Sequence, residues 1–149
     1  MKLVYIAGPI TKGNLAHNIN QGTAAFLALT KAGIASICPM WSTYSGIAMT
    51  ASPGPYSQNV DLHTPLSLGK STLDITGKVF AVAGATPNDL THAEWLAVDF
   101  EFIRRCDAVL RLPGESTGAD LETAHANELG IPVFHDIADA IAWASKGIA

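Results

Sequence analysis

Residues 3–9 read LVYIAGP, a short apolar run that stops at a glycine and a proline. Its first five residues are apolar at every position, which is typical of a strand buried on both faces of a parallel sheet. Apolar residues at helical spacing follow, and Gly33 stands where a helix would end. Residues 34–38 then predict a second strand, closed by Pro39. The first part of the chain therefore predicts a β-α-β unit.

The same alternation returns in the second half of the chain. A capping stretch at residues 86–89 predicts the start of a helix that ends near residue 105. The elements predicted after it are a strand at 108–112, a loop at 113–118, a helix at 121–129, a strand at 131–134 and a helix at 137–144. Strands that alternate with helices predict an α/β fold. We expect residues 1–149 to form a single-domain, doubly wound, Rossmann-like or flavodoxin-like parallel sheet.

A long segment interrupts this pattern at about residues 41–87. It is dense in Gly, Ser, Thr and Pro and shows no sustained period. Connections of this length in compact domains usually have a function, so we interpret the segment as a lid insertion. Its sequence leaves open a short helix near residues 65–68 and a short strand at residues 78–83.

The composition excludes several classes of protein. Of 149 residues, 48% are hydrophobic and 15% are charged, which predicts a folded chain. A formal charge of −4 disfavours binding to a nucleic acid duplex but not to a single nucleotide. The apolar run at the start is too short for a membrane span, so we expect a cytoplasmic protein that does not associate with membranes. Cys38 and Cys106 lie beside apolar runs and are interpreted as buried thiols.

Ligand sites in a doubly wound sheet lie at the carboxyl ends of its strands. There the sequence places residues 8–11 (GPIT) and residues 115–122 (ESTGADLE). Ser116 and the two residues after it would open a helix whose free N–H groups attract an anion. The side chain of Glu122 would lean back toward the same ligand, which makes it a candidate nucleophile or general base. Asp99, within an apolar helix, is a candidate for the same cleft.

Each of these features also has a purely structural interpretation. A Ser-Thr-Gly followed by acidic residues is equally typical of an ordinary helix N-cap. Glycine and proline after a strand form a turn more often than a substrate loop. Asp99 lies on the solvent face of its helix or in a cleft, with Trp95 one turn earlier on the same face.

Other chemistries find little support in the sequence. The five histidines lack the spacing of a metal site, and no glycine-rich nucleotide loop follows the first strand. We therefore expect no metal and no cofactor. Residues 114–118 match the letters of a Gly-x-Ser-x-Gly nucleophile elbow, but the acid and histidine of a triad are not specified.

Four segments together resemble a known family. They are YIAGPIT at residues 5–11, CDAV at 106–109, STGADLE at 116–122 and GIPV at 130–133. In their order and spacing they resemble the nucleoside 2-deoxyribosyltransferase superfamily, which also includes nucleoside 5′-monophosphate N-glycosidases and small phage and bacterial proteins of unassigned function. The resemblance covers the first forty residues and those after about residue 91.

The resemblance implies roles for individual residues. It makes Glu122 the nucleophile that attacks the anomeric carbon, and Asp99 the carboxylate that hydrogen-bonds or protonates the departing base. Ser116 takes a position that phosphate-preferring hydrolases of the superfamily fill with serine. The substrate-binding residues expected on this basis are Tyr5, Gly8, Pro9, Ile10, Trp95, Ser116 and Gly118. The resemblance also implies a homo-oligomer.

The sequence thus favours an enzyme that cleaves the N-glycosidic bond of a nucleoside or nucleoside 5′-monophosphate, with transfer of the sugar to another base or to water. The alternative is a non-catalytic protein that binds or senses a nucleotide derivative. A third possibility is a phosphoribohydrolase, for which Pro113-Gly114 is the pointer.

Overall fold

The computed structural model describes residues 1–41 and 91–146, which belong to one compact unit. The predicted lid, with its alternative helix at residues 65–68 and strand at residues 78–83, lies outside the described residues from residue 42 onward. The single domain over residues 1–149 stays a prediction.

Four strands in the described residues form one parallel sheet. They are β1 (Leu3–Ala7), β2 (Ala35–Ile37), β3 (Ala108–Arg111) and β4 (Val133–Phe134), in the spatial order β2-β1-β3-β4. In the register, Tyr5 lies opposite Val109 and Ala7 opposite Arg111. The strand order reverses between β1 and β3, which is where doubly wound sheets bind ligands. The predicted α/β fold with a Rossmann-like or flavodoxin-like parallel sheet is confirmed.

Within residues 1–41 and 91–146, four helices connect and cover these strands: α1 (Leu15–Lys31), α2 (His92–Arg105), α3 (Thr117–Glu128) and α4 (Ile137–Ser145). The prediction that residues 86–89 cap α2 was wrong. Thr91 caps it, because the Thr91 hydroxyl accepts from the backbone N–H of Glu94 while the Glu94 carboxylate accepts from that of Thr91. Helix α3 begins four residues before the predicted start, at Thr117, directly after its cap Ser116.

The central strand divides the core into two halves. Val4 and Ile6 face the layer of α1 and α4, whereas Tyr5 and Ala7 face α2 and α3. This alternation is the two-residue period of a strand with both faces buried. The side packed on α2 and α3 is the one that carries the polar groups of the candidate site.

The two thiols follow the same division. Cys38 is buried in the half that contains α1, and Cys106 in the half that contains α2. Both are buried, as predicted, and burial raises the pKa of each thiol to about 11. No helix in residues 1–41 and 91–146 is both long and apolar enough to span a bilayer.

Candidate active site

Tyr5 connects the sheet to the site. It lies in the middle of β1, is completely buried, and points toward α2 and α3. Its hydroxyl donates a 2.8 Å hydrogen bond to Oε1 of Glu122, a residue 117 positions away in the chain. A buried phenol needs such a partner, so this bond fixes both side chains.

Glu122 comes from the second turn of α3. The helix begins where the Ser116 hydroxyl accepts a 3.2 Å hydrogen bond from the backbone N–H of Ala119. From this cap onward, Ala119, Glu122 and Ala126 form the buried face of the helix. Glu122 is the polar member of that face, and only 8% of it is exposed. Carboxylates are rarely so deeply buried unless a partner or a function retains them.

Asp99 brings a second carboxyl group from α2. It is 8% exposed, which excludes the solvent face and buries it beside Tyr5 and Glu122. Its Oδ1 atom is buried and has no hydrogen-bond partner among residues 1–41 and 91–146. Burial raises the pKa of Asp99, against the stabilising effects of nearby Tyr5, Glu122 and His92. An unsatisfied buried oxygen is costly, so it marks a place where a ligand group can bind.

The pKa of Glu122 depends on its burial and on the neighbouring Tyr5, Asp99 and Arg111. Burial, together with the negative charge of Asp99, raises the pKa of Glu122 to about 7. The Tyr5 hydrogen bond and the positive charge of Arg111 act in the opposite direction and favour the ionised form. Burial and the two carboxylates also raise the pKa of Tyr5 above its usual range, so Tyr5 remains a hydrogen-bond donor. Near neutral pH, Glu122 therefore has access to both protonation states.

Two further residues lie at the helix ends beside this cluster. A Cβ atom at Gly118 would stand 3.9 Å from Cε1 of the exposed His92, so the starts of α2 and α3 approach each other there. The charge of His92 lowers the pKa of Asp99. Sequence reasoning did not select His92, since it was considered only as a metal ligand.

Arg111 is the second functional residue that sequence reasoning missed. It ends β3, is 8% exposed, and donates hydrogen bonds to the carbonyls of Leu112 and Gly114 and to Asp120. The available signal was a charged residue two positions after Val109 in an otherwise apolar strand, which places its side chain on the Tyr5 face.

The predicted substrate residues after β1 lie near the other face of the sheet. A Cβ atom at Gly8 would approach Met40 and Leu112 at 2.9 and 3.1 Å, and Ile10 packs on the core that includes α1. Pro9 lines a cleft of about 360 Å³ at the start of α1, together with Lys12, Asn14, His17, Asn18 and Glu115. An exposed ion pair between Lys12 and Glu115 joins the two loops at this edge.

Two more of the predicted substrate residues, Trp95 and Ser116, lie on α2 and at the start of α3. Trp95 is half-buried on α2, one turn before Asp99. Ser116 caps α3, as its structural interpretation predicts, and stays partly accessible. No three His, Cys, Asp or Glu side chains in the described part of the chain cluster as metal ligands would.

The fold and the site together define a three-layer α/β protein with a buried tyrosine and two buried carboxyl groups beside its central strand. The chain belongs to the family described as a domain of unknown function (DUF4406), whose model matches residues 52–135. This stretch contains Asp99, Arg111 and Glu122, whereas Tyr5 lies before it. No curated protein and no solved structure matches the chain.

Proposed function

We propose that the protein cleaves the N-glycosidic bond of a nucleoside or nucleoside 5′-monophosphate, with Glu122 as the nucleophile and Asp99 as the acid at the departing base. The observation that carries the proposal is the buried cluster of Tyr5, Asp99 and Glu122, in which two carboxyl groups with raised pKa lie on one face of the sheet. The resemblance to the nucleoside 2-deoxyribosyltransferase superfamily supplies the substrate class.

Glu122 performs the first step. As the base departs, the sugar ring develops positive charge, which a nearby carboxylate stabilises or captures as a glycosyl ester. An oxygen of Glu122 bonds to the anomeric carbon while the carbon–nitrogen bond breaks and leaves its electron pair on the base. The Tyr5 hydroxyl holds Oε1 at 2.8 Å and so fixes the plane of the attacking carboxylate.

Asp99 serves the leaving base. A departing base nitrogen needs a proton, and burial favours the protonated form of Asp99. The unpartnered Oδ1 atom is available to hydrogen-bond the base. In the free protein the two carboxyl groups share a proton that lies on Glu122, because the negative charge of Asp99 and the hydrogen bond between them raise the pKa of Glu122. The proposed roles require this proton to move to Asp99 when substrate binds, which leaves Glu122 ionised with Tyr5 and Arg111 to stabilise its charge.

A second base or water then attacks the anomeric carbon, gives its proton to the Asp99 carboxylate and displaces Glu122 as a carboxylate. Transfer and hydrolysis differ only in this acceptor. In line with the sequence, the proposal includes a cytoplasmic homo-oligomer that requires neither a cofactor nor a metal.

The test is chromatography of the free base released from a panel of nucleosides and their 5′-monophosphates, with and without an acceptor base. We expect wild type to release base and Glu122→Gln to lose about 10³-fold or more of that rate. Glu128→Gln is the matched control, because Glu128 is an exposed glutamate in the same helix. A folded Glu122→Gln protein as active as wild type would contradict the proposal. Binding of a nucleotide without base release by wild type would instead favour the non-catalytic alternative.

A further inference from the structure

Arg111 is a buried cation at the end of β3. Only 8% of it is exposed, and its paired charge is Asp120, whose side chain is itself 66% exposed. It lies opposite Ala7 at the ends of the two central strands, on the face that holds Tyr5. This position places its guanidinium group between the sheet and the start of α3.

The hydrogen bonds of Arg111 span the connection from β3 to α3. Its guanidinium group donates to the carbonyl of Leu112, at 2.9 Å to the carbonyl of Gly114, and at 2.8 Å to Oδ1 of Asp120. The first two acceptors lie in the loop, and the third lies in the first turn of the helix. One rigid, planar group thus connects the end of the strand, the loop and the helix.

Asp120 lies two residues before Glu122, so this connection also sets where Glu122 stands. The charged or titratable groups that face Glu122 are Tyr5 from β1, Asp99 from α2 and Arg111 from β3. On α3 itself, the titratable residues closest to it in sequence are Asp120, two positions before, and His125, three positions after; the two residues of β4, Val133 and Phe134, do not titrate. In the described part of the chain, Arg111 is the cation that acts on Glu122.

We propose that Arg111 is a positioning residue, which fixes the first turn of α3 against the end of β3 and keeps a positive charge beside the Glu122 carboxylate. It holds Glu122 in register with Tyr5 and Asp99 and favours the ionised nucleophile. Asp120 modulates this effect, because its negative charge partly neutralises the guanidinium group. The effect of Arg111 on the rate of base release rests on the proposed function. Its effect on the ionisation of Glu122 does not.

The test follows the Glu122 carboxyl carbon by NMR titration in ¹³C-glutamate-labelled protein, with Glu122→Gln used to assign the signal. In Arg111→Gln we expect the midpoint of Glu122 to rise by roughly 0.5 to 1 unit. In Arg111→Lys, which keeps the charge, the midpoint stays within about 0.3 unit of wild type. In Asp120→Asn it falls, because a negative charge is lost while Arg111 remains.

We expect Arg111→Gln and Asp120→Asn to shift the Glu122 midpoint in opposite directions. This difference separates an electrostatic role from a general loosening of the structure, which would shift both midpoints in the same direction. Asp120 is 66% exposed in its side chain, so Asp120→Asn keeps the proposal testable if Arg111→Gln does not fold. Midpoints that do not move, or that move in the same direction in both variants, would overturn it.

Base release then tests the positional part. We expect Arg111→Lys, which cannot reproduce the planar set of hydrogen bonds, to lose about 10-fold in kcat with little change in KM. Wild-type kcat in Arg111→Lys would overturn the positional part. If wild type releases no base while the titrations shift as expected, the proposed function fails and the electrostatic role of Arg111 stands.

Discussion

At the scale of single residues, the Tyr5 hydroxyl affects the ionisation of Glu122, to which it donates a hydrogen bond. It is fully buried and donates to a carboxylate that burial has already made difficult to ionise. A hydrogen bond to the charged form of an acid lowers its pKa. Tyr5 thus offsets part of the effect of burial on Glu122.

We therefore expect Tyr5→Phe to raise the pKa of Glu122 above its value of about 7. The variant should lose about 1 to 2 kcal/mol of stability, because the carboxylate loses a hydrogen-bond partner. The pH profile of base release should move toward higher pH, with most of the loss near pH 7 and recovery in alkaline buffer. A rate reduced by one constant factor at every pH would contradict this explanation.

Asp99→Asn removes the second carboxyl group and keeps its shape. We expect the pKa of Glu122 to fall, because the negative charge of Asp99 raises it in the wild type. If Asp99 protonates the base, substrates with poor leaving groups should lose more activity than those with good ones. The comparison requires rates for several bases, and an equal loss for all of them would remove Asp99 from the acid role.

At the scale of the elements, the cap of α3 begins the helix that holds Glu122, the proposed nucleophile. The Ser116 hydroxyl accepts from Ala119, three residues before Glu122. We expect Ser116→Ala to cost about 1 kcal/mol in chemical denaturation and Ser116→Gly only a few tenths. If both variants release base from nucleosides at the wild-type rate but lose 5′-monophosphates, Ser116 binds phosphate as well as capping the helix. Equal losses with both substrate classes would leave it a cap alone.

The sequence predicted an element well where its apolar periodicity and the residues that end a strand or helix agree. β1 has the predicted bounds, and Gly33 and Gly130 follow α1 and α3 with φ of +74° and +71°. The start of α2 was misplaced because the local Thr-x-x-Glu signature of Thr91 and Glu94 was overlooked in favour of residues 86–89. Asp99 and Glu122 lie together as the expected convergence at one edge of the sheet implies, and the structure settles the burial of Asp99, which the sequence left open. Arg111 was missed because no local pattern shows where a strand-end cation finds its acceptors.

At the scale of the whole molecule, two sets of carboxyl groups act in opposite directions on stability. The raised pKa of Glu122 means that its protonated form is favoured in the folded state, so its contribution is complete below about pH 4.5 and is lost as pH rises through about 7. Glu94, Glu101 and Asp107 have lowered pKa values, because of partners that favour their charged forms. Their contribution is present above pH 4.5 and is lost on acidification.

The molecule should therefore be most stable near pH 5 to 6. We expect the free energy of unfolding to fall by roughly 2 kcal/mol between pH 5 and pH 8, and this fall to be largely absent in Glu122→Gln. Urea unfolding at a series of pH values measures both curves. A wild-type protein equally stable at pH 5 and pH 8 would show that Glu122 is not destabilised by burial.

The central position of β1 has a consequence for the growing chain. β1 is made first, yet its partner β3 is separated from it by more than 100 positions, with Val4 opposite Ala108. At the usual rate of synthesis, β3 follows roughly 5 to 20 s later. During that interval, the edge of β1 that later pairs with β3 has no partner strand. An unpaired, apolar strand edge favours aggregation. We therefore expect the soluble yield to rise when chaperones are supplied or when synthesis takes place at lower temperature, and a yield that responds to neither would contradict this expectation.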